Sequence, residues 1–393
     1  MSFLQTAAQV IFWLSLAGLF FTYAGYPFII WCCARLFGKK PAPPARTDDL
    51  PRVSLLIAAY NEEAVIAERI DNALRLDYPA DKLEIVIASD GSSDATNDIV
   101  RRYAPRGVRL LAYPARRGKA TVLNDSVPRL SGDIVIFSDA NTFFDPDAAR
   151  RLVRWFHDPR VGMVCGRLVL IDPQHGRNVD GLYWKYETFL KQCENRLGAL
   201  LGANGAIYAV RRPLYRPIPA NTILDDLLIP LLAVLRSGKG LLYDDEAVAR
   251  EETPPHLTSE FHRRARIGAG GFQSIFVLWK LLHPRHGWLA FSFFSHKVLR
   301  WFSPFLLIIL LLSNALLLTK PWYQFTMLGQ LGFYLLSSLV YQLPSGIRLF
   351  KPLRMTTMFT GMNLALMVGF WRWLKGNQKG TWKRTERSEA AVS

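Results

Sequence analysis

Hydrophobic and polar positions divide the chain into three stretches. Ala7–Cys33 is nearly uncharged and long enough to span a bilayer. From Pro51 onward, short apolar runs alternate with helical periodicity. Strands are expected at Val53–Ala59, Glu84–Ser89, Val108–Ala112 and Asp133–Ser138. Helices are expected after them at Glu62–Leu76, Ala95–Tyr103, Lys119–Arg129 and Asp147–His157. A βαβ series of this kind predicts an α/β fold, with a mostly parallel sheet covered by helices on both faces. Val161–Ile171 and Ala206–Val210 read as later strands around a long helix, Asp180–Leu197.

The third stretch begins after about Thr258. Phe272–Leu282 and Trp288–Trp301 mix aromatic residues with Lys280, His283, Arg285, Lys297 and Arg300. Amphipathic helices of this type lie flat in a membrane interface. Phe302–Leu318 and Tyr323–Leu343 are read as spanning helices. Thr356–Phe370 is apolar but short and basic on both flanks, with Arg348, Lys351 and Arg354 before it and Arg372, Lys375, Lys379, Lys383, Arg384 and Arg387 after it. The positive-inside rule wants both flanks on one side, which favours a re-entrant or interfacial helix over a crossing one. Five segments follow: an N-terminal anchor at 1–40, an α/β domain at 50–270, interfacial amphipathic helices at 271–301, C-terminal membrane helices at 302–374 and a basic tail at 375–393. The linker Pro41–Arg46 marks the first boundary.

Composition narrows this picture. Half of the 393 residues are hydrophobic, 12% are aromatic, and the formal charge is +16. No nucleic-acid-binding motif accompanies that charge, and basic residues concentrate in the cytoplasmic parts of membrane proteins. No basic residue precedes the first apolar run, whereas Arg35, Lys39 and Lys40 follow it. A secretory signal has the opposite layout, so the run is an anchor that leaves the next domain in the cytoplasm. Cys32, Cys33, Cys165 and Cys193 show no zinc spacing and read as free thiols in a reducing compartment.

Candidate chemistry gathers at the strand ends. Ile134–Asn141 is a buried strand running into Asp139 and Asn141, two residues apart, so an extended backbone points both side chains the same way. Ligands of open α/β sheets bind beyond the carboxyl ends of the strands. Two oxygens there suit a hard cation that completes its shell from a diphosphate, although the pair can also simply shape a turn. Tyr60-Asn61-Glu62-Glu63 ends the first strand, and Ser89-Asp90-Gly91-Ser92-Ser93-Asp94 ends the second. Asp90 can accept an N–H from a flat base and Tyr60 can pack on its face, while Ser93 or Asp94 suits an N-cap. Arg116-Arg117-Gly118-Lys119 opens a helix with cations, against the dipole unless an anion binds there. Asp225-Asp226 precedes an apolar helix, Leu227–Arg236, as a cap or as a general base whose pKa the neighbouring acid raises. Gly202-Ala203-Asn204-Gly205-Ala206 is a small-residue loop suited to close backbone approach.

These motifs in this order resemble the family 2 glycosyltransferases, the group with cellulose, chitin and hyaluronan synthases. Residues 53–270 carry the likeness to its GT-A catalytic domain, and the flanking membrane segments resemble the layout of its membrane-embedded synthases. The resemblance implies a nucleoside-diphosphate sugar donor, usually UDP-linked, inversion at the anomeric carbon, and Mg²⁺ or Mn²⁺ as cofactor. It implies that Tyr60, Glu62 and Asp90 hold the nucleoside, that Lys119 and Arg266 face the diphosphate, and that Asp139 and Asn141 form the metal motif. Asp226 would be the general base, with Asp225 where the family has Glu. Gly202, Asn204, Gly205 and Ile267 would lie toward the acceptor. Two positions depart from the pattern: Asn141 stands where the family has Asp, and Ile267 replaces the tryptophan of Gln-x-x-Arg-Trp. The expected product is an extracellular polysaccharide threaded through the protein's own helices. Transfer of one sugar to a lipid acceptor is the alternative, and a non-catalytic membrane scaffold a third. The expected setting is a bacterial inner membrane, multi-pass, with a cytoplasmic active site and with export or accessory subunits as further partners.

Overall fold

The computed structural model describes residues 3–44, 49–171, 182–252, 257–343, 351–378 and 380. Ala45 and Arg46 of the linker, the start of the expected Asp180–Leu197 helix, Arg348 and nearly all of the basic tail lie outside the described residues. The chain forms two compact units. One is an α/β unit made of Ile30–Pro255, Phe276–Ser292 and Lys379–Ser393, and the other is a helical unit made of Met1–Ile29, His256–Ile275 and Phe293–Gln378.

The α/β unit is built on one eight-stranded sheet. Its strands are β1 Val53–Ala59, β2 Leu83–Asp90, β3 Val108–Tyr113, β4 Ile134–Asp139, β5 Thr142–Phe144, β6 Val161–Ile171, β7 Tyr208–Arg211 and β8 Gly240–Glu252. The spatial order is β3-β2-β1-β4-β7-β6-β8-β5. β3, β2, β1 and β4 run parallel, as does the pair β6–β8. β7 is antiparallel to both β4 and β6, and β5 is antiparallel to β8. Every residue of β1 is buried, as expected for a parallel strand covered on both faces. Leu55, Ile57, Ile85, Ile87 and Ile136 form the core with Ile66, Ile70 and Ala73 of helix Ile66–Leu74, which recur at helical spacing.

Chain direction across the sheet places the site. From β1 the order runs outward to β2 and β3 on one side and jumps to β4 on the other. That reversal opens a crevice at the carboxyl ends of β1 and β4, where α/β sheets receive ligands. Asp90 ends β2 and Asp139 ends β4.

Two strands escape the hydrophobic pattern. β5 has only three residues. β8 carries Asp244, Asp245 and Glu246 within it, and its register against β6 shifts there, from Gly166↔Asp244 to Arg167↔Val248. This bulge takes up the acids that interrupt the apolar run. Asp244 is buried because Trp155 Nε1 and Arg154 both donate to it.

Two helices are long and apolar enough to cross a membrane, among the described residues: Phe3–Leu36 and Trp288–Ala315. The second joins segments expected to be separate, an interfacial helix ending at Trp301 and a span starting at Phe302. Pro304 does not break it. The carbonyl of Arg300, four residues back and without an N–H from Pro304, accepts the Ser303 hydroxyl at 2.8 Å instead. Thr356–Phe370 lies inside a 24-residue helix, Lys351–Leu374, roughly 36 Å long at the usual rise. Within the helical unit, Tyr23 Oη lies 2.9 Å from Ser303 Oγ, which lies 2.7 Å from Asn363 Oδ1. Gly369 lets Lys351–Leu374 pack on helix Leu257–Val277, since a Cβ there would lie 2.5 Å from the Ala265 carbonyl oxygen.

Candidate active site

The loops after β1 and β2 are laced together. The Asn61 N–H donates to Ser92 Oγ at 3.0 Å, and the Ser93 N–H donates to Asn61 Oδ1 at 2.8 Å. The Glu62 N–H donates to Thr96 Oγ1 at 2.8 Å, and the Ala95 N–H donates to Glu63 Oε2 at 3.0 Å. Asp94 receives the Thr96 N–H at 3.0 Å, the local turn contact that its place ahead of helix Thr96–Arg102 invites. Asn61 adopts φ 53°, a left-handed conformation that Asn tolerates better than most residues.

Asp90 is fully buried, and its two oxygens accept the backbone N–H groups of Arg117 at 2.7 Å and Gly118 at 2.9 Å. It therefore clamps the basic loop. Gly91 makes room for that loop: its φ is +66°, and a Cβ there would lie 2.5 Å from the Arg116 nitrogen. The Arg116 guanidinium sits 3.9 Å from the centre of the Tyr60 ring. Arg117 pairs with Asp125 at 2.6 Å.

Lys119 begins helix Lys119–Ser126. Its Nζ lies 2.8 Å from Asp139 Oδ1 and 3.2 Å from Asp225 Oδ2. Burial works against its charge, but Asp139 and then Asp225 outweigh burial and raise its pKa. The conflict between this cation and the helix dipole is thus answered by carboxylates of the protein itself. One lysine ties the end of β4 to the start of helix Asp225–Ser237.

Asp225 and Asp226 occupy the first turn of that helix, and no side chain caps it. The Asp226 carboxyl is pushed up to about 6, first by burial and next by the Asp225 carboxylate, while Lys119 and Lys191 pull the other way. The Gly202–Ala206 loop wraps this turn. The Ala203 N–H donates to the Asp226 carbonyl at 2.8 Å, and a Cβ on Gly205 would lie 3.5 Å from Asp226 Oδ2. Gly202 has φ +83° against Leu227. The Asn204 side chain is held by the frame: it donates to the Gly166 carbonyl at 2.6 Å and accepts from Lys191 Nζ. Tyr208 lies beneath, its ring stacked on Phe137 at 4.7 Å between centroids. Its phenol is raised well above its ordinary value by burial and then by Asp225 and Asp226.

Sequence reasoning missed three charged residues here. Arg69 is fully buried, donates to Asn72 at 3.0 Å and Ser138 at 3.2 Å, and covers the Phe144 ring at 4.9 Å. Burial draws it down to about 9, with Asp139 opposing. A signal existed, because Arg69 falls beside Ile66, Ile70 and Ala73 on the apolar face of its helix. Lys191 shares its charge with the Asp226 turn. Glu251 Oε1 accepts the Asn141 amide N–H at 3.0 Å. It lies on β8, which the hydrophobic pattern did not reveal. Arg266 and Ile267 belong to helix Leu257–Val277 and to the helical unit.

Among the described residues no three His, Cys, Asp or Glu side chains gather into a metal cage. The strand end fits a shared cation rather than a resident one. Asp139 is 37% exposed and Asn141 adds an amide oxygen, enough for Mg²⁺ or Mn²⁺ that completes its shell with substrate oxygens.

Three comparisons bear on the family. The Glycosyl transferase family 2 profile matches residues 54–214. The poly-β-1,6-N-acetyl-D-glucosamine synthase of Staphylococcus aureus is 26% identical over 250 residues, covering 60% of this chain and 58% of that protein. The β-monoglucosyldiacylglycerol synthase of Synechocystis is 28% identical over 289 residues, covering 69% of this chain and 60% of that protein. The chain thus spans less than two thirds of the length of either relative. A mannosyltransferase from Pyrobaculum calidifontis, solved in complex with GDP-Man and Mn²⁺, shares the fold, with TM-score 0.72, 22% identity, and 93% of this chain and 99% of that chain covered. Residues 54–214 belong to a family 2 glycosyltransferase domain, and the α/β unit is a GT-A fold.

Proposed function

We propose that this family 2 glycosyltransferase moves a sugar, with inversion, from a nucleoside diphosphate, UDP in the first instance, to an acceptor hydroxyl. The observation that carries the reading is Asp226: a carboxyl pushed up to about 6 beside a second acid, at the crevice that Asp139 and Lys119 also face. A base works best with its pKa near the working pH.

In this reading Asp226 takes the proton of the acceptor hydroxyl as its oxygen bonds to the anomeric carbon. The bond from that carbon to the diphosphate oxygen breaks with its electron pair, and the nucleoside diphosphate departs. Attack opposite the leaving group inverts the centre. Lys119 stabilises the charge that develops on the departing diphosphate. Asp139 and Asn141 would hold Mg²⁺ or Mn²⁺, which supplies Lewis-acid charge at the same oxygens. Tyr60, Glu62 and Asp90 serve the nucleoside. Asp90, fully buried, serves it through the basic loop whose Arg117 and Gly118 N–H groups it holds. Lys119, paired with Asp225, adds its charge beside Asp226. Gly202, Asn204 and Gly205 shape the wall on the acceptor side.

The acceptor is a growing polysaccharide in the first reading, consistent with the poly-N-acetylglucosamine synthase among the relatives. Ile267, where processive synthases offer a tryptophan face, favours a second reading, one sugar transferred to a membrane lipid, as the name of the glycolipid relative suggests. Either acceptor suits a protein anchored in a bacterial inner membrane with its catalytic unit in the cytoplasm. The basic residues after the first apolar helix, Arg35, Lys39 and Lys40, support that orientation.

The test uses the full chain in detergent or vesicles with Mn²⁺ and a panel of labelled UDP- and GDP-sugars. Release of nucleoside diphosphate from one donor is expected, with labelled product of high mass. One labelled sugar extracted with lipid moves the assignment to the second reading. Release from no donor sinks both.

A further inference from the structure

Position 141 is an amide where the family pattern has an acid, so the strand end is one negative charge short. Glu251 stands beside it. β5 and β8 pair antiparallel with Thr142 opposite Glu251, which brings the Asn141 side chain against the end of β8. Asn141 Nδ2 donates to Glu251 Oε1 at 3.0 Å. An amide has one donor end and one acceptor end, so fixing Nδ2 on Glu251 turns Oδ1 the other way. Asp139 closes β4 and Thr142 opens β5, so this turn carries both proposed ligands.

We propose that Glu251 is a positioning residue of the cation site, restoring the charge missing at position 141 and fixing the Asn141 amide with its oxygen free to ligate Mg²⁺ or Mn²⁺. This rests on the metal reading given under the proposed function. Charge beside a hard cation strengthens binding even when it does not touch the ion, and partners of metal ligands typically change affinity by roughly 10–100-fold. A Glu251 that only holds the β5–β8 edge would leave Mn²⁺ affinity unchanged when glutamine replaces it in a folded protein.

The experiment measures Mn²⁺ binding to the full chain in detergent, by the electron paramagnetic resonance signal of free Mn²⁺, with UDP and GDP in separate arms. E251Q keeps an acceptor and removes the charge. It is expected to weaken Mn²⁺ binding by about tenfold or more. N141D/E251Q moves the acid from 251 to 141 and is expected to return to within about threefold of wild type. Where E251Q does not fold, N141D against N141D/E251Q tests the charge alone, since an acid at 141 has no amide to orient, with at least about tenfold tighter binding expected when Glu251 is present. Equal Mn²⁺ affinity of wild type and E251Q, or within the N141D pair, overturns the inference and leaves the metal reading standing. Absence of Mn²⁺ binding by wild type overturns both.

Discussion

The end of β2 and the start of helix Asp225–Ser237 each hold a buried acid, under opposite conditions. Asp90 receives two backbone N–H groups and is sealed into the frame. Asp225 and Asp226 stand side by side, with no capping side chain, held by the charges of Lys119 and Lys191. A buried carboxylate whose two oxygens each accept a backbone N–H has its value in what it fixes, here the loop Arg116–Lys119. A carboxylate crowded by a second one gains by accepting a proton, which is what a general base must do. Residue type does not separate structural acids from reactive ones. Local satisfaction does.

The largest test of the contrast is D226N. Transfer is expected to fall by at least about 10²–10⁴-fold with donor binding nearly unchanged, measured as initial rate and as donor affinity. The same change should stabilise the fold. The folded carboxyl is raised from 3.8 to about 6, so it binds a proton more readily than the unfolded chain does. The penalty is therefore absent below about pH 4, grows as pH rises toward 6, and is complete above that. Relief of roughly 1–3 kcal/mol at pH 8, allowing for partial exposure, and none near pH 4, is expected in denaturant unfolding. A variant that keeps near wild-type transfer removes Asp226 from the chemistry.

D90N should reverse the signs. One oxygen of the clamp becomes an NH₂ facing an N–H, and charge-assisted bonds worth roughly 2–3 kcal/mol are lost. A clear fall in Tm is expected, together with about a tenfold rise in donor KM and a smaller change in kcat. Loss of transfer as deep as in D226N with Tm unchanged would erase the distinction between the two acids.

The same contrast explains what the sequence made legible. β1–β4 could be read because each is a short apolar run ending in polar residues, and period and burial agree. Asp90 and Asp139 could be named because each stands at the end of such a run, whereas Lys119 and Asp226 could be named from helix starts and from the family resemblance. β8 stayed hidden because Asp244–Glu246 reads as a loop, and only the bulge and the Trp155 and Arg154 donors make it a strand. Glu251 was lost with it, as was the Asn141 contact across β5. Arg69 sat on a helix that was expected, but its burial depends on Ser138, Asn72 and Phe144, which meet only in the fold. Asp90 could be assigned to the nucleoside, but its clamp on the basic loop could not be read. Its spacing suits a base or a loop equally, and which N–H groups reach it is a tertiary fact.

The smallest effect is the sharpest probe of the second acid. Gly205 has ordinary backbone geometry, and a methyl there would rest 3.5 Å from Asp226 Oδ2, a normal van der Waals distance. G205A should fold, and its methyl displaces water from the carboxyl without adding charge. Desolvation disfavours the ionised form, so Asp226 should titrate higher still. Because the base is active when deprotonated, wild-type kcat/KM should fall away below about pH 6. In G205A that acid limb should move upward while the plateau at pH 8 drops less than about threefold. An acid limb that stays in place while the plateau collapses would mean that the loop acts on the acceptor and not on the ionisation of Asp226.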